Sequence, residues 1–150
     1  MTKRPINTSL PINLLRVREH FMQYFRPILK QTGLTEQQWR IIRYVHEYPD
    51  SPIEGISSTV CISSPSLTGI LNRMEALDLI YRCKNDKDRR SMYIRLTEKG
   101  KQTHQIVTAL SEKQYEKIEQ DVGVKELQVL LGMLEIVNAK FSNAPTKSDT

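Results

Sequence analysis

The stretch that decides the fold is "ISSPSLTGILNRMEALDLI", residues 62–80. Ser64 followed by Pro65 is a helix start, because a serine oxygen can accept from first-turn N–H groups and proline has no N–H to leave unpaired. Leu67, Ile70, Leu71, Met74 and Leu77 then recur at spacings of three and four, which gathers them on one buried face. Ser66, Thr68, Gly69, Asn72 and Arg73 are left pointing outward. That outward face is small and hydrogen-bonding at its N-terminal end, unlike the Glu- and Lys-rich face of an ordinary surface helix. Asp78 falls where the helix should stop, and Asp tolerates the left-handed conformation better than most residues.

Beyond this helix, "LIYRCK" (79–84) and "MYIRL" (92–96) read as strands, the second alternating Met92, Ile94 and Leu96 against Tyr93 and Arg95. "KNDKDRRS" (84–91) joins them, so a charged hairpin follows the helix. Upstream, Leu14, Val17, Phe21, Phe25 and Ile28 keep helical spacing up to a stop at Gly33. "GLTEQQW" opens a second helix, with Thr35 and Gln38 as a capping box and Leu34 and Trp39 as its hydrophobic staple. Ile41, Ile42, Val45 and Tyr48 continue its buried face to Pro49, and Pro52 opens a short third helix to about Val60. Downstream, Thr97 caps a long fifth helix. A sixth follows Gly123, with Leu127, Leu130, Leu131, Leu134, Val137 and Phe141 as its apolar stripe. The fold class is therefore mainly α with a small β-hairpin wing. Two short helices at a turn followed by a hairpin make a winged helix-turn-helix.

A chain of 150 residues suits one domain with a real core. No apolar run approaches the roughly 18 residues of a membrane span, and "MTKRPINTSLPINLL" lacks the apolar core and cleavage site of a secretory signal. These features predict a cytoplasmic protein with no membrane partner. Cys61 and Cys83 are too few for a disulfide framework, and with only His20, His46 and His104 no metal-ligand spacing is present. No catalytic residues, metal or cofactor are expected: the serines sit at helix starts where capping explains them, and no nucleophile has an evident base. The net charge of +5 is unevenly spread. Residues 1–44 and 80–101 each carry eight basic groups, against two and three acidic ones, so two basic islands stand apart and can serve different partners.

The arrangement suits double-stranded DNA. The major groove admits an α-helix whose leading residues meet base edges, and basic side chains on a hairpin can reach a neighbouring minor groove. Taken singly, each outward Ser, Thr or Asn is explained by solvation; the hairpin beside them favours DNA. The alternatives are a winged helix that binds protein or RNA, and a cysteine-based redox sensor.

Residues of about 10–140 resemble the MarR family of transcriptional regulators. The resemblance is carried by "GLTEQQWRIIRYV", by "ISSPSLTGILNRMEALDLI" and above all by "DKDRRSMYIRLTEKG". In that last stretch Asp88 and Arg90 stand at the Asp-x-Arg positions of the family's wing, ahead of a strand and a Leu-Thr-x-x-Gly helix start. "FRPIL", "GLTEQQWR" and "PSLTGIL" are similar to the branch that regulates degradation of 4-hydroxyphenylacetate and homoprotocatechuate. The resemblance implies a homodimeric repressor of an aromatic-acid catabolic operon, bound to a pseudo-palindromic operator and released by a small aromatic carboxylate. It implies a single domain over 1–150: a winged module at about 35–97, dimerisation helices at about 10–32 and 98–141, and a disordered tail at about 142–150. DNA contacts are expected from Ser64, Pro65, Ser66, Thr68, Gly69, Asn72 and Arg73 on the recognition helix. From the wing they are expected from Lys84, Lys87, Arg89 and Arg90, with Asp88 orienting Arg90. Two departures stand out: Ser64 occupies a place where relatives often carry Arg, and Asp78 one where they usually carry Gly.

Arg18 is unusual by itself. Its helical neighbours Leu14, Leu15, Phe21 and Met22 put a guanidinium on an apolar face, and a buried charge needs a partner. One reading is an ion pair with an acidic residue of a partner subunit, such as Glu135. The other is a ligand site in which Arg16, Arg18 and Arg40 clamp the effector's carboxylate while His20, Phe21 and Trp39 contact its ring.

Overall fold

The computed structural model describes residues 5–84 and 91–142. A 3₁₀ turn at Ile6–Thr8 leads into α1 (Leu10–Thr32), followed by α2 (Glu36–Glu47), α3 (Ile53–Val60) and α4 (Ser64–Ala76). Then come β1 (Ile80–Lys84), β2 (Met92–Leu96), α5 (Glu98–Val122) and α6 (Val124–Ser142). This is the expected winged helix-turn-helix. The chain divides into two compact units, Met1–Glu112 and Lys113–Thr150.

The first unit is built by local rules. α1 ends at Gly33, whose φ of 72° is the left-handed conformation that glycine adopts without strain. α2 starts on the expected capping box: the Gln38 N–H donates to Thr35 Oγ1 at 3.1 Å and the Thr35 N–H donates to Gln38 Oε1 at 3.0 Å. The start of α4 corrects the sequence reading by one residue. Ser63, in an extended conformation, is the N-cap, and Ser64 already belongs to the helix with Pro65 in its first turn. At the other end Asp78 takes φ 57°, so the expected left-handed stop holds without glycine.

One core joins these elements. Ile41, Ile42 and Val45 of α2 meet Ile56 and Val60 of α3, Leu67, Ile70, Leu71 and Met74 of α4, and Ile80, Ile94 and Leu96 of the hairpin. Val107 closes it from α5. The strands pair antiparallel with Ile80 opposite Leu96 and Lys84 opposite Met92, and an isolated bridge from Pro52 to Tyr93 ties the α2–α3 connection to the wing. Arg95 strengthens that link by donating from Nε to Asp50 Oδ1 at 2.6 Å. The end of α4 is fastened to the start of α5: Thr97 Oγ1 donates to the Asp78 carbonyl at 2.5 Å and Lys99 Nζ to that of Leu77 at 2.7 Å. These bonds satisfy helix-end carbonyls that would otherwise lack partners.

In the second unit α6 is apolar on more than its expected stripe. Val129, Leu131, Met133, Leu134, Ile136, Val137 and Phe141 are all exposed in the single chain. No described helix is long and apolar enough to cross a membrane.

Candidate nucleic-acid interface

The helix-turn-helix consists of α3, the turn at 61–63 and α4. Cys61 makes the turn in the left-handed conformation, φ 53° and ψ 50°. That conformation is costly for a residue with a Cβ, and here a long-range contact supports it. Arg40 Nη1 donates to the carbonyls of Val60 at 2.5 Å and Cys61 at 3.2 Å, capping the end of α3 from α2. Serine hydroxyls continue the turn: Ser57 donates to the Ile62 carbonyl at 2.7 Å, and Ser64 donates to Ser57 Oγ at 3.3 Å. The position of α4 is thus set by Arg40 and Ser57 as well as by its apolar face.

Ser64, Pro65, Ser66, Thr68, Asn72 and Arg73 are exposed and Gly69 half-exposed, as their outward placement on the helix requires. The Ser63 side chain makes no cap hydrogen bond; it donates instead to Ser66 Oγ at 2.9 Å. The start of α4 thus has no side-chain cap from Ser63, which suits an outside acceptor such as a phosphate oxygen. Ser64, Thr68 and Asn72 follow each other at intervals of four and so share one strip of the surface. Asn72 is held by a residue that the sequence reading passed over: Arg82 of β1 donates to its Oδ1 at 2.8 Å and to Glu75 Oε2 at 2.7 Å. No local signal could have found that link, since it spans ten residues of chain. On the wing, Lys84 is exposed at the end of β1. Lys87, Asp88, Arg89 and Arg90 lie outside the described residues.

The second basic island is arranged differently from expectation. In the single chain the Arg18 side chain is 46% exposed and forms ion pairs with Glu36 and Glu19. Of the apolar neighbours, Leu14 and Leu15 are exposed in the single chain and Phe21 and Met22 are half-buried. Hydrogen bonding from Arg26 first, and the charges of Arg26 and Arg18, lower the Glu19 carboxyl below its usual range. Arg40 is turned away to the end of α3, while Arg16 and His20 are exposed on α1. Phe21 is half-buried, and Trp39 packs against the core. Glu36 lies one turn before Trp39, which puts the Arg18 ion pair and the indole on the same side of α2. The structure therefore ties Arg18 to Glu36, one turn from Trp39 in α2, while the Arg40 guanidinium donates to the end of α3.

Trp39 has a neighbour the sequence did not suggest. Its ring lies 5.7 Å from that of His104, which stacks on His46 at 3.7 Å with 19° between the planes. Burial first, then the charges of His46 and Arg43, push the His104 pKa below its ordinary value, with Glu47 opposing. A histidine whose folded pKa is lowered contributes fully above the unfolded value of about 6.5, and that contribution is lost as the pH falls toward the folded value. Melting temperatures measured between about pH 8 and pH 5 should therefore decline below about pH 6.5, less steeply in His104→Gln. Equal slopes in the two proteins would show that the stacked pair has no such effect. Among the described residues no group of three or more His, Cys, Asp or Glu is placed to hold a metal ion. Cys61 is exposed at the α3 turn, and Cys83 of β1 is half-buried with Sγ donating to the Tyr93 carbonyl at 3.8 Å.

A recognition-type helix without a side-chain cap at its N-terminus, backed by a hairpin, defines a winged-helix DNA-binding protein. Comparison with known proteins gives the family. The MarR family pattern matches residues 34–92. The homoprotocatechuate degradative operon repressor of Escherichia coli is 42% identical over 130 residues, covering 87% of this chain and 88% of that protein. The transcriptional regulator FarR of Neisseria gonorrhoeae is 37% identical over 128 residues, 85% and 88% of the two chains. Among solved structures, NadR in complex with 4-hydroxyphenylacetate superposes with a TM-score of 0.78 at 34% identity, over 91% of this chain and 97% of that one. The chain belongs to the MarR family, and it is a DNA-binding transcriptional regulator.

Proposed function

We propose that this regulator represses an operon for the degradation of small aromatic acids and is released from its operator by an aromatic carboxylate of the 4-hydroxyphenylacetate type. The observation that carries this reading is the 42% identity, over most of both chains, to a repressor named for the homoprotocatechuate operon. The likeness to a NadR structure that contains 4-hydroxyphenylacetate supports the effector class. The Arg18–Glu36 pair, one helical turn from Trp39 along α2, suggests how the effector is held: its carboxylate replaces Glu36 on the Arg18 guanidinium, a planar two-point partner, and its ring lies toward Phe21 and Trp39.

The working form is a homodimer in the cytoplasm, with α1, α5 and α6 as its dimerisation helices and residues of about 35–97 as the winged module. Exposed Leu10, Leu14, Leu15 and Val17 on α1, with the many apolar residues exposed on α6, support that assignment, because a helix that is apolar nearly all round needs burial. Each protomer then offers α4 to one half-site. Ser64, Pro65, Ser66, Thr68, Gly69, Asn72 and Arg73 face the major groove, and Lys84, Lys87, Arg89 and Arg90 reach phosphates or the minor groove, with Asp88 holding Arg90. Regulation, with no catalysis, agrees with relatives that are regulators.

Genome-wide selection of bound fragments followed by a salt titration tests this. Six or more phosphate contacts should give a log–log salt slope of about −5 or steeper on a selected pseudo-palindrome. Arg90→Ala should weaken binding several-fold and make the slope shallower by about one unit. A shallow slope without sequence preference would point instead to a protein or RNA partner.

A further inference from the structure

One side chain ties the wing to the groove-facing strip of α4. Arg82 Nη2 donates to Asn72 Oδ1 at 2.8 Å and Nη1 donates to Glu75 Oε2 at 2.7 Å, with the Arg82 side chain only 25% exposed. A guanidinium has donors and no acceptor, so the amide orientation of Asn72 follows from chemistry: oxygen toward Arg82, NH₂ away from it. Glu75 presents a second problem. At 100° or so per residue it falls on the strip shared by Ser64, Thr68 and Asn72, and an unpaired carboxylate there would repel the DNA backbone. The same guanidinium neutralises it.

We infer that Arg82 is a positioning residue for operator recognition: it fixes Asn72 with its amide N–H groups toward the groove and removes the repulsion of Glu75. The inference rests on the reading of Asn72 as groove-facing. An amide fixed this way presents donors, so it selects base edges that accept, such as purine N7, guanine O6 or thymine O4, over the N4 amino group of cytosine. Freed from Arg82, the amide can rotate by half a turn and present its oxygen, and discrimination relaxes. The guanidinium fork reaches the two acceptors from two nitrogens at fixed angles; a lysine has its three donors on one nitrogen of a flexible stem, so it can keep the ion pair with Glu75 but holds the amide without that fixed geometry.

The test is operator affinity by fluorescence anisotropy for wild type, Arg82→Lys, Asn72→Ala, Asn72→Asp and the Arg82→Lys/Asn72→Ala double variant. Each is measured on the selected operator and on duplexes with single half-site base pairs replaced, with thermal unfolding in parallel. Wild type should discriminate by about tenfold at one base pair where Arg82→Lys, Asn72→Ala and the double variant all discriminate by about twofold or less, the double no worse than the singles. Asn72→Asp keeps an oxygen for Arg82 and loses the donors, so it too should lose discrimination, whatever the stability of Arg82→Lys. Wild-type discrimination in Arg82→Lys, with discrimination lost in Asn72→Ala, would overturn the inference and leave Asn72 as a base-reading residue. Unchanged discrimination in Asn72→Ala would remove the groove-facing reading and the inference with it.

Discussion

Gly100→Ala is expected to cost about 3 kcal/mol of stability, at the upper end of what overpacking a well-filled site usually costs. Gly100 is buried in the first turn of α5, where its N–H donates to Thr97 Oγ1 at 2.9 Å. A Cβ at that position would overlap the Leu79 carbonyl oxygen and lie 3.1 Å from its carbonyl carbon and 3.3 Å from Leu96 Cβ. The obstacle is backbone, which cannot rotate aside as a side chain can. It is also occupied, because the Leu79 carbonyl accepts the Thr97 N–H at 3.1 Å and the Leu79 N–H donates to the Met74 carbonyl at 3.0 Å. Any relief of the clash must therefore shift the end of α4 or the start of α5. Urea unfolding should show the lower midpoint with little change in slope, and operator affinity should fall because the recognition helix is displaced. A loss below about 0.5 kcal/mol would mean that the α4–α5 junction is softer than its contacts imply.

That junction also shows what the sequence could and could not reveal. Periodicity and caps are local signals, and they located α2 by its capping box, α4 by Leu67, Ile70, Leu71 and Met74, and the two strands nearly to the residue. They misplaced the α4 cap by one serine because Ser63 and Ser64 are adjacent residues of the same type, and only the backbone angles distinguish them. Residues that act over long chain separations were beyond such signals. Arg40 looked like a free cation for a ligand, whereas its guanidinium caps α3 some twenty residues away. Arg18 looked buried because its helical neighbours are apolar; in the single chain its side chain is 46% exposed, with Leu14 and Leu15 exposed beside it and Phe21 and Met22 half-buried. The Arg82 fork and the His46–His104 stack depend on packing between elements, which no spacing within one element encodes.

The second large effect is expected from the effector. A ligand can move the regulator off its operator only by binding the DNA-competent and DNA-incompetent forms differently, and the loss of DNA affinity equals that ratio. The proposed replacement of Glu36 on Arg18 would provide such a difference. It exchanges a bond between α1 and the N-terminus of α2 for a bond between α1 and the ligand, so the restraint between the two helices changes on binding. Couplings of this kind commonly reach about ten- to a hundredfold. Arg18→Ala should raise the effector concentration needed for release by about tenfold or more, because a two-point charged contact is lost.

The most direct measurement is therefore the anisotropy of a labelled operator complex during titration with 4-hydroxyphenylacetate and 3,4-dihydroxyphenylacetate at fixed salt. The proposed function predicts that at least one of them raises the operator Kd by about ten- to a hundredfold, and that Arg18→Ala shifts the titration to higher concentration. An operator that stays bound at saturating levels of both acids, with Arg18→Ala responding to other aromatic acids as wild type does, would contradict it.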